Sequence, residues 1–188
     1  MISLLISAAL LLVVQPPAPP RPQRSSDVVA QARGLIRQQH YDSAVNRLEQ
    51  YLESAPDDPE ALTYLATAHL YADHDYLKAE EMFERAFRAG GGASFFVTHS
   101  HESMLSGEDI TSYCRGWLHL RRGGLEFAPE EGNHGFRMTY AEVEEIKQNR
   151  HKTFFHVRRG GGNQNFRPRS DDERETLLIL ALYKKFSR

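Results

Sequence analysis

The sequence predicts a two-part chain of mixed class: an all-α half of paired helices, then an antiparallel β half closed by one α-helix. Three observations predict it. Small and apolar residues recur between Asp27 and Gly90 so that Ala44 and Ala79 stand 35 positions apart. After Gly90-Gly91-Gly92 the side-chain period changes from helical to alternating. From Ser170 onward a helical apolar stripe returns and runs to the end.

The chain begins with Met1 to Val14, apolar except for Ser3 and Ser7. At roughly 1.5 Å per residue this run covers about 20 Å as a helix, short of the ~30 Å hydrocarbon core of a bilayer. The length suits the core of an export signal, or a short anchor. No Lys or Arg precedes the run, no A-x-A site follows it, and Arg21 and Arg24 lie just beyond. Two placements follow: export to, or association with, the bacterial envelope, and a cytoplasmic protein if the segment is not a working signal. Gln15 to Arg24 holds five prolines and is expected to be an extended spacer. Residues 1–24 thus form a leader or anchor plus linker.

Residues 25–90 carry four helical stripes. Ser26 or Asp27 is placed to cap the first, which holds Val28, Val29, Ala32, Leu35 and Ile36. Ala44, Val45, Leu48, Tyr51 and Leu52 mark the second, with Pro56 and Pro59 beyond it. Leu62, Leu65, Ala66, Ala68, Leu70 and Tyr71 mark the third. Ala79, Met82, Phe83, Ala86 and Phe87 mark the fourth, which ends at Gly90-Gly91-Gly92, expected to be a C-cap and hinge. This region resembles a pair of tetratricopeptide repeats: Ala44, Leu48 and Pro56 match the pattern in the first copy, and Leu65, Ala66, Ala79, Phe83 and Ala86 in the second. Gln31 and Tyr51 depart from it. The resemblance implies a concave face, on the first helix of each pair, that holds a peptide or helix of a partner. Aligned on this chain, that face includes Val29, Arg33, Ile36 and Arg37, then Thr63, Thr67, Leu70 and Tyr71. Arg33 and Arg37, one turn apart, suit an acidic peptide or a C-terminal carboxylate. Two repeats usually bury too little to stand alone. The expected missing neighbour is the β half, a second copy of this chain in a homo-oligomer, or a partner.

Residues 93–188 read as about seven short strands and a helix. The strands fall near Phe95–His99, Ser112–Arg121, Leu125–Phe127, Gly135–Met138, Val143–Lys147, Thr153–Val157 and Asn163–Arg167. Ser170 and Glu173 stand at capping-box spacing before the last helix. Seven strands followed by one amphipathic helix resembles the pleckstrin-homology-like fold, which implies a bent barrel plugged by the helix. Alternation places Trp117 away from the Cys114–Leu118 face, between arginines, either as a protein-binding residue or packed on the helices of the same chain.

The formal net charge of −2 argues against a nucleic-acid binder. Cys114 is the single cysteine, so neither an intrachain disulfide nor a CxxC motif exists. No nucleophile elbow, HExxH, P-loop or dinucleotide fingerprint occurs, so no enzyme activity and no cofactor are expected. His99 and His101 form an H-x-H pair, with Cys114 or His134 as a possible third ligand of a zinc-like set. The preferred expectation is no metal, with these histidines hydrogen-bonded at a domain boundary. Arg121-Arg122, Arg158-Arg159, Arg167 and Arg169 would make an anion-binding or membrane-facing patch if the loops converged. The leading expectation is therefore a non-enzymatic adaptor that binds another protein through Arg33, Ile36, Arg37, Thr63, Thr67, Tyr71 and Trp117. The alternative is a peripheral membrane or lipid-binding module.

Overall fold

The computed structural model of this chain describes residues 24–101, 112–150 and 152–188. The expected leader and most of the proline linker, residues 1–23, lie outside them, as does the side chain of His101. No helix among the described residues is long and apolar enough to cross a membrane.

Four helices come first: α1 (Ser25–Arg37), α2 (Tyr41–Leu52), α3 (Pro59–Asp73) and α4 (Tyr76–Arg88). The 35-residue offset has a structural counterpart, since Ala44 and Ala79, and Leu48 and Phe83, are all fully buried. Small alanines let neighbouring helices approach while Leu48 and Phe83 fill the space between them. Pro59 opens α3 at a position where its missing N–H costs nothing, and the Asp58 carboxylate caps the Glu60 and Ala61 amides. Tyr51, which breaks the small-residue pattern, donates its hydroxyl to the same Asp58 at 3.1 Å. Neither Ser26 nor Asp27 caps α1; both lie inside it, and Arg24 at the cap position makes no side-chain bond.

Seven strands follow: β1 (Gly92–His101), β2 (Ser112–Arg121), β3 (Gly124–Pro129), β4 (Phe136–Met138), β5 (Glu145–Gln148), β6 (Phe155–Arg159) and β7 (Gly162–Pro168). A 3₁₀ turn at Tyr140–Glu142 joins β4 to β5. All pairings are antiparallel, in the order β4-β3-β2-β1-β7-β6-β5. The expected closed barrel does not form: β4 and β5 are the two ends of one open sheet and do not pair. The sheet nevertheless curls. The last helix, α5 (Glu173–Phe186), touches β2, β5 and β7, although four strand spacings, about 19 Å in a flat sheet, separate β2 from β5. Its buried Leu178, Ile179, Leu182 and Phe186 join the core, and Phe186 stacks on Phe87 of α4 at 3.9 Å. The cap of α5 is Asp172, bonded to the Arg174 amide. Ser170 instead holds Glu175 through its amide, at 2.9 Å, and its hydroxyl.

The two halves share one core, and the seam between them is built on β1. Strand β2 pairs with β1 along its whole length, but β7 covers the other edge only from Val97 to Ser100. Helix α3 occupies the rest of that edge. Thr63 accepts from the Gly92 amide at 3.1 Å, Thr67 donates to the Ser94 carbonyl at 2.7 Å, and Tyr71 accepts from the Phe96 amide at 3.1 Å. Tyr71 then donates to Glu175 of α5 at 2.9 Å. Gly91, expected to be part of a hinge, instead permits this approach, while Gly92 lies close against the Leu120 carbonyl of β2. A Cβ on Gly91 would overlap the Pro59 carbonyl and sit 2.6 Å from Thr63 Oγ1.

Two consequences can be measured. Thr67→Val keeps the side-chain shape but strips the buried Ser94 carbonyl of its donor. It should lower the unfolding free energy by about 1–3 kcal/mol, and chemical denaturation should show the midpoint fall. His119, buried and held at 2.8 Å from Ser94 Oγ, has its pKa pushed down to about 3 from 6.5 by burial, reinforced by Arg121, Arg33 and Arg137. The unfolded chain then takes up a proton below pH 6.5 that the folded chain refuses. Stability should therefore be full above that pH and fall steadily from there toward pH 3, and His119→Gln should flatten that slope.

Candidate functional site

The sequence-predicted binding face is already occupied. Ile36, Thr63, Thr67 and Tyr71 are buried, and the last three are the hydroxyls that bond β1. The helical groove does hold an extended strand, but the strand belongs to this chain. Trp117 takes the second of its two expected places, packed on the helices of the same chain: it is only 3% exposed, edge-on to Tyr64 and Phe96 at 5.3 Å each, with the Arg33 guanidinium 5.5 Å from its ring. Of the predicted set, Arg37 is exposed and Arg33 partly so. Both line a groove of ≈ 330 Å³ between α1 and the end of β3.

A larger cleft of ≈ 790 Å³ opens where the end of α1, the start of α2 and the end of α3 meet β1, β2 and β7. Strand register builds its floor. Thr98 faces Arg115 on one side and Arg167 on the other, so these three side chains project from adjacent strands on one face. Arg169 follows β7 and lies over two rings, 6.0 Å from Tyr41 and 5.1 Å from Phe96. Its Nη2 donates to the Arg37 carbonyl at 3.3 Å, while its Nη1 is buried with no hydrogen-bond partner among the described residues. Arg37 pairs with Glu130 at 3.1 Å and Arg167 with Asp171. Arg115 and Arg169 make no salt bridge among the described residues. Behind the cleft, Glu175 is buried, and burial pushes its carboxyl above the usual range against the pull of Ser170 and Tyr71. The aromatic walls add Phe154 and Tyr113, the latter 59% exposed.

The other arginine loops are matched within the chain. Arg121 pairs with Glu60, Arg158 with Glu144 and Glu145, and Arg159 with Glu142, while Arg122 donates to the Arg88 carbonyl at 3.2 Å.

On the opposite face of the same strands, three potential ligands meet. His99 of β1 lies directly across from Cys114 of β2, and the β3–β4 loop brings in His134. Their ligand atoms all fall within 4.8 Å of one another. Cys114 Sγ is 3.7 Å from His99 Nδ1 and 2.8 Å from His134 Nε2. The far nitrogen of His99, Nε2, is 2.8 Å from Gln164 Oε1 of β7. Burial raises the Cys114 thiol pKa. His134 and the Cys114–His99 pairing were within reach of sequence reasoning only as options, because strand adjacency is not written in one strand's pattern.

No protein-family model matches this chain, and no curated protein matches it either. The functional reading therefore rests on the cleft and the cluster themselves. Arg115 and Arg169 escaped the sequence-based protein-binding set because they lie in the β half: the register with Thr98 brings Arg115 to the cleft, and Arg169 reaches it just past the end of β7.

Proposed function

We propose that this chain is a non-enzymatic adaptor that holds an acidic segment of a partner protein in the cleft between its helices and its sheet. In this proposal the helical half is tetratricopeptide-like and the sheet half pleckstrin-homology-like. The 35-residue offset of buried Ala44 and Ala79 supports the first, and seven antiparallel strands closed by one helix support the second. The envelope placement follows from the apolar Met1–Val14 run and belongs to the same proposal.

The observation that carries the reading is Arg169. Its guanidinium lies over the Tyr41 and Phe96 rings, yet buried Nη1 finds no acceptor among the described residues. A buried donor without an acceptor costs about 1–3 kcal/mol. A carboxylate of an incoming peptide restores the bond, and guanidinium forks match carboxylates well. Arg115, on β2 across β1 and with no salt bridge among the described residues, supplies the second charge. Phe154 and the exposed Tyr113 offer faces on which apolar peptide side chains can lie. A lipid surface is less well served, because Arg121, Arg158 and Arg159 are already paired with carboxylates.

Fluorescence anisotropy with a labelled, Asp- and Glu-rich peptide that carries one aromatic residue tests this directly. The full chain should bind it and not a Lys-rich peptide of equal length. Arg115→Glu should weaken binding by about tenfold or more, and raised salt should weaken it further. Equal binding of both peptides, or no effect of Arg115→Glu, would sink the proposal.

A further inference from the structure

We propose that His99 Nδ1, Cys114 Sγ and His134 Nε2 hold a zinc ion on the inner face of the sheet, with Gln164 fixing His99 from behind. Three features carry this. The first is convergence. Three donors from three separate segments, β1, β2 and the β3–β4 loop, bring their ligand atoms within 4.8 Å of one another. Zn–S and Zn–N bonds of about 2.3 and 2.0–2.1 Å, set at the tetrahedral angle, place sulfur and nitrogen roughly 3.5 Å apart. Cys114 Sγ and His99 Nδ1 are at 3.7 Å. His134 Nε2, at 2.8 Å from the sulfur, needs to withdraw by about 0.7 Å to meet the same figure.

The second feature is orientation. Metal-bound histidines commonly give their other ring nitrogen to an oxygen acceptor, which sets the tautomer. His99 meets Gln164 Oε1 in this way at 2.8 Å through Nε2. With the proton held on Nε2, the lone pair of Nδ1 points toward Cys114. The ring is kept from turning by Phe127 and Phe166, whose centroids lie at 4.9 and 5.0 Å.

The third feature is the loop that delivers His134. Gly132 adopts φ +83°, a left-handed conformation suited to glycine. A Cβ on Gly135 would come within 2.8 Å of Pro129 Cδ and 2.9 Å of the Phe127 carbonyl. The chain is therefore pressed down at the residue next to His134, and the imidazole is carried over the end of the sheet. A thiolate and two imidazoles favour zinc over magnesium or calcium, which prefer oxygen. The Cys114 proton leaves to solvent when the metal binds. Three protein ligands leave a fourth position of the tetrahedron for water or another ligand. The β3–β4 loop also carries Glu130, the partner of Arg37, so the ion would tie one wall of the cleft to the sheet.

The test uses the purified full chain. After dialysis against zinc and then metal-free buffer, elemental analysis should find one zinc per chain. With cobalt in place of zinc, the wild type should show the sulfur-to-cobalt charge-transfer absorption and the visible bands of a four-coordinate ion. Cys114→Ser should abolish the charge-transfer band, and Gln164→Leu should weaken metal affinity about tenfold or more with unchanged circular dichroism. No stoichiometric zinc and no charge-transfer band in the wild type would overturn the proposal, whatever the variants do. So would equal metal binding by wild type and a folded Cys114→Ser.

Discussion

A β-strand edge cannot be buried against apolar side chains, because each N–H and C=O left without a partner costs about as much as a lost hydrogen bond. The first half of β1 faces this constraint, since β7 reaches only Val97. The solution is a row of hydroxyls on α3. Thr63, Thr67 and Tyr71 recur every four residues, a rise of about 6 Å. Gly92, Ser94 and Phe96 recur every two residues, a rise of about 6.6 Å. The two spacings agree closely enough for three successive bonds. Helix α3 thus takes the place of a strand, Tyr64 reaches Trp117 on one side, and Phe83 of α4 reaches Phe95 at 5.2 Å on the other. The helices need the sheet to bury their first-helix face, and the sheet needs the helices to close its edge.

This seam explains which parts of the structure were legible in the sequence. The four helices, the seven strands and the final helix all occur near their expected places, because each is written in a local period of small, apolar or alternating side chains. The site was less legible. Thr63, Thr67 and Tyr71 were assigned to a partner's peptide because polar groups on a repeat's concave face look alike whether the ligand is foreign or internal. Their i, i+4, i+8 spacing was the available sign that they match a strand, but it carries no information on whose strand. Trp117 was placed on the outward face of its strand by parity, and it does lie there; the helices cover that face. The barrel expectation failed for a different reason. Closure requires β4 to pair with β5, and a short 3₁₀ turn between them leaves these two strands as separate ends of the sheet.

Alternation along β1 and β2 places two different chemistries back to back. Thr98 and Arg115 face the cleft, while their immediate neighbours His99 and Cys114 face the aromatic interior. Glu130 and His134 sit four residues apart on one loop and serve the two faces separately. A change in the position of that loop is therefore felt on both sides of the sheet. Glu175 plays a comparable part at the other end of the cleft, since Tyr71 and Ser170 both line the cleft and both hold its carboxyl.

The hydroxyl row on α3 is tested most directly by amide hydrogen exchange at single-residue resolution. Among the described residues the Gly92 and Phe96 amides have no strand partner on that edge, and Thr63 and Tyr71 are what protect them. The account predicts that both exchange as slowly as the central amides of β2, through global unfolding alone. Exchange at the rate of the exposed Gly160-Gly161 turn, with β2 still protected, would contradict it.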